Sequence, residues 1–348
     1  SGADGILMSN AKVELVDVAL KSCRGTALRI PVNSSENTVV ATRCEFANSN
    51  YGAQVHGSLT LSGDISVPLL DISSTGIMTL SNPSSIDSSG VILNVNGSIL
   101  IHGEMKFYGA TIVCTHLNVT GKLNGDGMVS GDGTSYDNNM GPGTPSNVEG
   151  GSAHGGFGGD QHGTRPGSKI IYGSISRPVL FGSPTVSNFN KGGGAVRIIA
   201  SNSVAVEKGG FITANGGGGW VGQSRGGASG GSILIETPVL KLGGMISANG
   251  GDTSTSQYSG GGGGGRIAIH TQFLIWLGSG SGSSSSTSTS RSLLVNGGRG
   301  LCSNQCNGGS SGTTYINTSM LADLDLIIPD GATLAGLVSL EEDVPWKS

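Results

Sequence analysis

Gly194-Ala195-Val196-Arg197-Ile198-Ile199 is answered by Gly230-Gly231-Ser232-Ile233-Leu234-Ile235, and again by Gly264-Gly265-Arg266-Ile267-Ala268-Ile269. The second part of the unit recurs as well. Phe211-Ile212-Thr213-Ala214-Asn215-Gly216-Gly217 matches Met245-Ile246-Ser247-Ala248-Asn249-Gly250-Gly251. Arg197, Ser232 and Arg266 follow at intervals of 35 and 34, and Asn215 and Asn249 at 34, so the unit has a period near 34. Fixed periods of this size mark solenoids. Each unit holds two short segments that alternate apolar with small or polar residues, the period-2 pattern of strands. No window offers helical spacing. Stacked as successive coils, such units pair each strand with its equivalents above and below and enclose an apolar interior. The expectation is an all-β chain folded as a parallel β-helix, or β-solenoid, with long Gly-rich loops.

Working outward, four regions separate. Residues 1–125 read as a β-helix with coils of about 20 residues, the short end of solenoid periods. Leu59-Thr60-Leu61, Ile77-Met78-Thr79-Leu80, Ile99-Leu100-Ile101 and Leu117-Asn118-Val119 follow one another there at intervals of 18, 22 and 18. Residues 126–168, rich in Gly, Asp and Pro, read as a lateral excursion or a boundary. Residues 169–340 form the glycine-rich β-helix, and 341–348 an acidic tail or link to further chain. The Ser/Gly/Thr tract from Gly278 to Ser290 reads as an inserted loop, because the interval from Asn249 to Asn296 exceeds one period.

Composition narrows the function classes. Gly supplies 63 of the 348 residues, against a usual share of about 7%, an excess that would read as disorder without the phased strands. Charged residues are 12%, the net charge is -4 and no Lys/Arg cluster occurs, which argues against nucleic acid as a partner. No apolar run approaches the roughly 18 residues of a membrane span. Four sequons, at Asn33, Asn96, Asn118 and Asn317, point to an extracellular or cell-surface glycoprotein.

Cys23 and Cys44 are separated by about one coil and form one candidate disulfide between neighbouring coils. Cys302 and Cys306 form a second candidate, closing a small loop, and Cys114 is left as a buried thiol.

The candidate chemistry is sparse. Asp126, Asp132 and Asp137 offer oxygen ligands that Ca²⁺ accepts, but they lack EF-hand spacing, and turn-forming Asp-Gly is the favoured reading. Asp160, His162 and Arg165 are the one cluster with catalytic residue types, set in a glycine-rich excursion whose ordinary reading is a solvated loop. Gly260 to Gly265 lacks the Lys-Ser/Thr of a phosphate loop and leads into a strand rather than a helix, so no cofactor is expected. Asn215, Asn249 and Asn296 are expected to form a ladder, each bonding to the Asn one coil away. Trp220 and Trp276 are candidate sugar platforms.

Secreted β-helices resemble, as a class, pectate lyases and polygalacturonases. This chain lacks their Asn-Thr-Asp and Gly-His-Gly patterns, and glycoside hydrolysis needs two facing carboxyl groups. The Gly-Gly-Arg-Ile-Ala-Ile strand and Ile-Ser-Ala-Asn-Gly-Gly segment, followed by Ser311-Gly312-Thr313-Thr314-Tyr315, resemble the glycine-rich solenoid segments of large extracellular proteins of algae, plants and bacteria, flagellar-hair (mastigoneme) proteins among them. The resemblance spans roughly Lys191 to Tyr315 and carries no catalytic residue. It implies surface or fibrous roles, and with the repeat, the missing catalytic cluster and the low charge the expectation is a non-enzymatic, self-associating structural protein, a subunit of a fibril, flagellar hair or sheath that bears glycans. The alternatives are a polysaccharide-active enzyme and a carbohydrate-binding or adhesive module.

Overall fold

The computed structural model describes residues 6–7, 12–16, 19–21, 26–30, 38–42, 44–47, 51–55, 58–61, 65–80, 88–128, 141–160, 166–186, 190–218, 225–253, 259–277, 292–300, 306–322 and 338–340. Among them the chain is all-β, with every strand pair parallel and no α-helix, so none is long and apolar enough to cross a membrane. The alternation of Ile, Val and Leu with polar residues gives strands rather than helices, as the period-2 pattern requires.

Two sheets form. One runs through Tyr51–Val55, Leu70–Ile72, Ile92–Ile101, Gly109–Val119, Ala195–Val206, Ser232–Leu242, Arg266–Trp276 and Thr313–Ala322. The other runs through Ser58–Leu61, Ile77–Leu80, Glu104–Phe107, Lys122–Asn124, Phe211–Thr213, Met245–Ser247 and Ser292–Leu294. From residue 92 to residue 322 successive strands fall in alternate sheets. Inward-facing residues of both sheets meet in a single apolar cluster. Ile198, Ile235 and Ile269 are fully buried from the first sheet, and Leu123, Ile212 and Ile246 from the second. Burial of one such side chain is worth about 1.5–3 kcal/mol, so the row of equivalents holds neighbouring units together.

The register corrects the repeat as read from the sequence. Ala195, not Arg197, pairs with Ser232, while Arg197 pairs with Leu234, an advance of 37 rather than 35. By Phe211, which pairs with Met245, the advance has returned to 34. The difference is absorbed by an irregularity between Ile199 and Ser203 and by a turn, Glu207-Lys208-Gly209-Gly210, where the next unit has only Gly243-Gly244. Gly209 takes φ +86° in that turn, a conformation most residues avoid.

In the first region Leu59 and Met78 belong to one sheet and Ile99 and Leu117 to the other, so these four evenly spaced segments are not successive turns of one row. The advance between paired positions there runs from 17, at Ala53↔Leu70, to 29, at Leu70↔Ile99. Leu123 then pairs with Ile212, so the sheet continues unbroken across the 126–194 stretch. That stretch is an excursion from a continuous sheet. Its Val179 packs on Leu234, Ala268 and Tyr315, covering the outer face of the first sheet.

The glycine runs differ most from expectation. They are neither strands nor turns; they pack side by side and bond through their backbones. Along 259–265 the N–H groups of Gly260 and Gly263 donate to Glu149 and Ser152, those of Gly261 and Gly264 to Asn307 and Ser310, and those of Gly262 and Gly265 to Gly251 and Ala248. The direction repeats at every third position, the turn of a polyproline II helix, which has no internal hydrogen bonds. The carbonyls repeat likewise: Gly260 and Gly263 accept from Gly227 and Gly230, and Gly261 and Gly264 from Gly159 and Gly155. The run is thus the centre of a bundle of extended chains. A methyl group on Gly260 would overlap the Gly159 carbonyl, and one on Gly262 the Ala228 carbonyl. Only Gly127, Gly173 and Gly209 have positive φ among the described residues, so the run needs glycine for close approach, not for left-handed backbone.

Candidate functional site

Three arrangements carry polar side chains with a definite geometry. The first is buried. His154, in the excursion, is fully enclosed and stacks on Tyr172 with ring centroids 4.5 Å apart. Its Nδ1 lies 2.8 Å from the Gly230 carbonyl, which can only accept, so Nδ1 carries the proton and Nε2 the lone pair. Nε2 has no hydrogen-bond partner among the described residues. Burial pulls the His154 pKa down to about 3, aided by nearby Arg266, so the ring is neutral. Arg266 is only 2% exposed; its Nε donates to the Tyr172 carbonyl at 2.9 Å and its Nη1 to Thr313 Oγ1 at 2.8 Å. Burial lowers its pKa as well. These side chains pin the excursion to the strands beneath it, and their enclosure keeps a substrate from the imidazole.

The second is a cleft of about 450 Å³ beside the middle of the long strands of the first sheet. Glu236, His270 and Asn317 stand on adjacent strands in register along it, joined by Gln272. Glu236 is held between Arg197 Nε, at 2.6 Å, and Arg177 Nη1, at 3.2 Å. His270 donates from Nε2 to the Ser176 carbonyl at 2.6 Å. The cleft has one carboxylate, already neutralised, with amides and an imidazole beside it. That set suits recognition of hydroxyl groups; it does not supply the facing carboxyl pair of a glycosidase.

The third is the asparagine row on the flank. The Asn249 N–H donates to Asn215 Oδ1 at 2.7 Å, and the Asn296 N–H to Asn249 Oδ1 at 2.8 Å. Each side chain therefore bonds the backbone of the next unit, not its carboxamide. Asp126 begins the row: its Oδ1 accepts the Asn215 N–H at 2.8 Å and its Oδ2 pairs with Lys122 at 2.9 Å. Both carboxylate oxygens are thus engaged in holding the row. Asp252 and Arg299 repeat the arrangement a little further along each unit, with the Arg299 N–H donating to Asp252 Oδ1 at 2.7 Å.

Asp132, Asp137, His162, Arg165, Trp220, Asn33, Cys23 and Cys302 lie outside the described residues. Asp160 forms an ion pair with Lys169 at 2.8 Å and accepts the Gly167 N–H at 2.9 Å, so it organises the excursion. Cys306 is disulfide-bonded and Cys114 is a buried free thiol. Cys44 opens the strand Cys44–Ala47 and pairs with Ile65 on the next strand, and the Cys23–Cys44 candidate falls outside the described residues. Asn96 and Asn317 are exposed, whereas Asn118 sits half-buried between Leu100 and Ala205. Trp276 is partly buried, packs against the core and has an enclosed Nε1.

Sequence reasoning missed His154, Arg266 and the cleft. His154 stands in a stretch without periodicity, and Arg266 differs from its equivalents Ala195 and Ser232 only in the residue it places on a shared row. No family model, no curated protein and no solved structure matches this chain.

Proposed function

We propose that this chain is the rigid segment of a secreted, glycosylated structural protein, a subunit of an extracellular fibril, flagellar hair or sheath. In this reading the alternating strands wind as a parallel β-helix, each unit adding about 4.8 Å of length, and copies associate through ends or flanks. One observation carries it: the units that begin at Ala195 and at Ser232 are each bonded to the next three times over. The first sheet, the second sheet and the glycine bundle all cross the same joint. A chain tied at three places per unit resists bending and shear, the property a fibre subunit needs. The cleft beside Glu236, His270, Gln272 and Asn317 favours a second reading, a carbohydrate-binding module, because its amides and imidazole match sugar hydroxyls.

Electron microscopy of the chain secreted from a eukaryotic host, with glycan staining, tests the first reading. Filaments with a regular axial repeat, bearing glycan, are the expected result. Particles that stay single at high concentration would overturn it, and retention on a polysaccharide array by those particles would favour the second.

A further inference from the structure

Three Asn-Gly-Gly triplets, at Asn215, Asn249 and Asn296, occupy equivalent places in successive units but differ in how their reactive atoms are held. Asn-Gly bonds undergo an intrinsic reaction. The Gly amide nitrogen, on losing its proton, attacks the Asn Cγ, a C–N bond forms, and the carboxamide nitrogen leaves as ammonia. Water then opens the succinimide to aspartate or isoaspartate. Glycine favours ring closure because it carries no Cβ to obstruct the approach.

At Asn215 the attacking nitrogen is engaged: the Gly216 N–H donates to the Asn249 carbonyl at 2.8 Å. The electrophile is engaged as well, since Asn215 Oδ1 accepts the Asn249 N–H. Asn249 repeats both restraints, with the Gly250 N–H on the Asn296 carbonyl at 2.8 Å and its Oδ1 on the Asn296 N–H. Asn296 is the last member. It is exposed, and neither the Gly297 N–H nor Asn296 Oδ1 has a hydrogen bond among the described residues.

We infer that Asn296 is a site of spontaneous deamidation in the folded chain, and that the row protects Asn215 and Asn249. Two hydrogen bonds must break before either protected residue can close the ring, which slows it by roughly tenfold or more. The aspartate product fits the row, because Asp126 already places a carboxylate in the equivalent position at the other end. The isoaspartate product does not fit. It routes the main chain through Cβ and Cγ, one methylene longer, and turns the carbonyl that receives the Gly250 N–H into a free carboxylate off the main chain, and so loosens the restraint on Asn249. Ageing of the row then runs inward from Asn296.

The test incubates the full folded chain at mildly alkaline pH and follows all three sites by peptide mapping, with isoaspartate read by enzymatic methylation. A parallel sample in denaturant sets the intrinsic rates, which are expected to be similar because the triplets are identical. In the folded chain Asn296 is expected to convert at close to its denatured rate, with Asn215 and Asn249 roughly tenfold or more slower than in denaturant. Conversion of Asn215 or Asn249 as fast as Asn296, or an Asn296 as resistant as the other two, would overturn the inference.

Discussion

Lowering the pH should destabilise the chain through His154 alone by an amount the structure sets. The folded state holds the ring neutral, with a pKa near 3, whereas an unfolded chain protonates it near the ordinary 6.5. The unfolded state therefore binds more protons between those values, and stability falls as pH falls. The contribution of neutral His154 is fully present above pH 6.5, declines between 6.5 and 3, and is flat below. The slope is about 1.4 kcal/mol per pH unit, so at about pH 5 the loss is about 2 kcal/mol. Tyr172 and Arg266 face the ring, and the Arg266 cation adds to the cost of a second positive charge. Urea midpoints measured from neutral pH down to about pH 4 give the slope. The His154→Asn variant keeps a donor for the Gly230 carbonyl and removes the titration, so subtraction of its profile isolates this residue from the other histidines. The wild type should lose about 2 kcal/mol more than the variant between neutral pH and about pH 5. Parallel profiles for the two proteins would refute the reasoning, because they would mean His154 is not held neutral by enclosure.

Two further outcomes follow from the packing. Gly262→Ala puts a methyl onto the Ala228 carbonyl inside the glycine bundle, where backbone rather than a flexible side chain must yield, and should cost about 3 kcal/mol or more in urea unfolding. Gly209→Ala meets nothing within 4 Å but keeps φ +86°, so about 1–2 kcal/mol is expected, and equal losses in the two variants would show that the bundle is not tightly packed. Burial pushes the Cys114 thiol up to about 12, so iodoacetamide should label it only as fast as the chain unfolds; rapid labelling at neutral pH would show that its strand is open to solvent.

What the sequence discloses and what it conceals divide along physical lines. Strand alternation is a local property, and Val196, Ile198 and Ala200 point inward as the pattern says. The asparagine row was legible because Asn recurs beside Gly at a fixed distance. The register between Arg197 and Ser232 was not legible for a reason intrinsic to strands. A slip by two positions returns every side chain to the face it left, so apolar alternation cannot distinguish 35 from 37. The glycine runs mislead more deeply. Gly serves turns because it tolerates left-handed backbone, and a run of Gly reads as flexible by that habit. Here its use is the missing Cβ, and the carbonyls that demand it, those of Gly156, Gly159, Ala228, Val295 and Gly298, belong to other stretches of the chain. Hydrogen bonds to several neighbouring segments leave no trace in the composition of any one of them. The same distance hid His154, whose burial depends on Gly230 and Arg266 closing over it from other units. A glycine-rich stretch between phased strands is therefore better read as a question about what packs against it than as a linker. The discriminating sign is length: runs that exceed a turn yet return to the same phase have room to form a bundle.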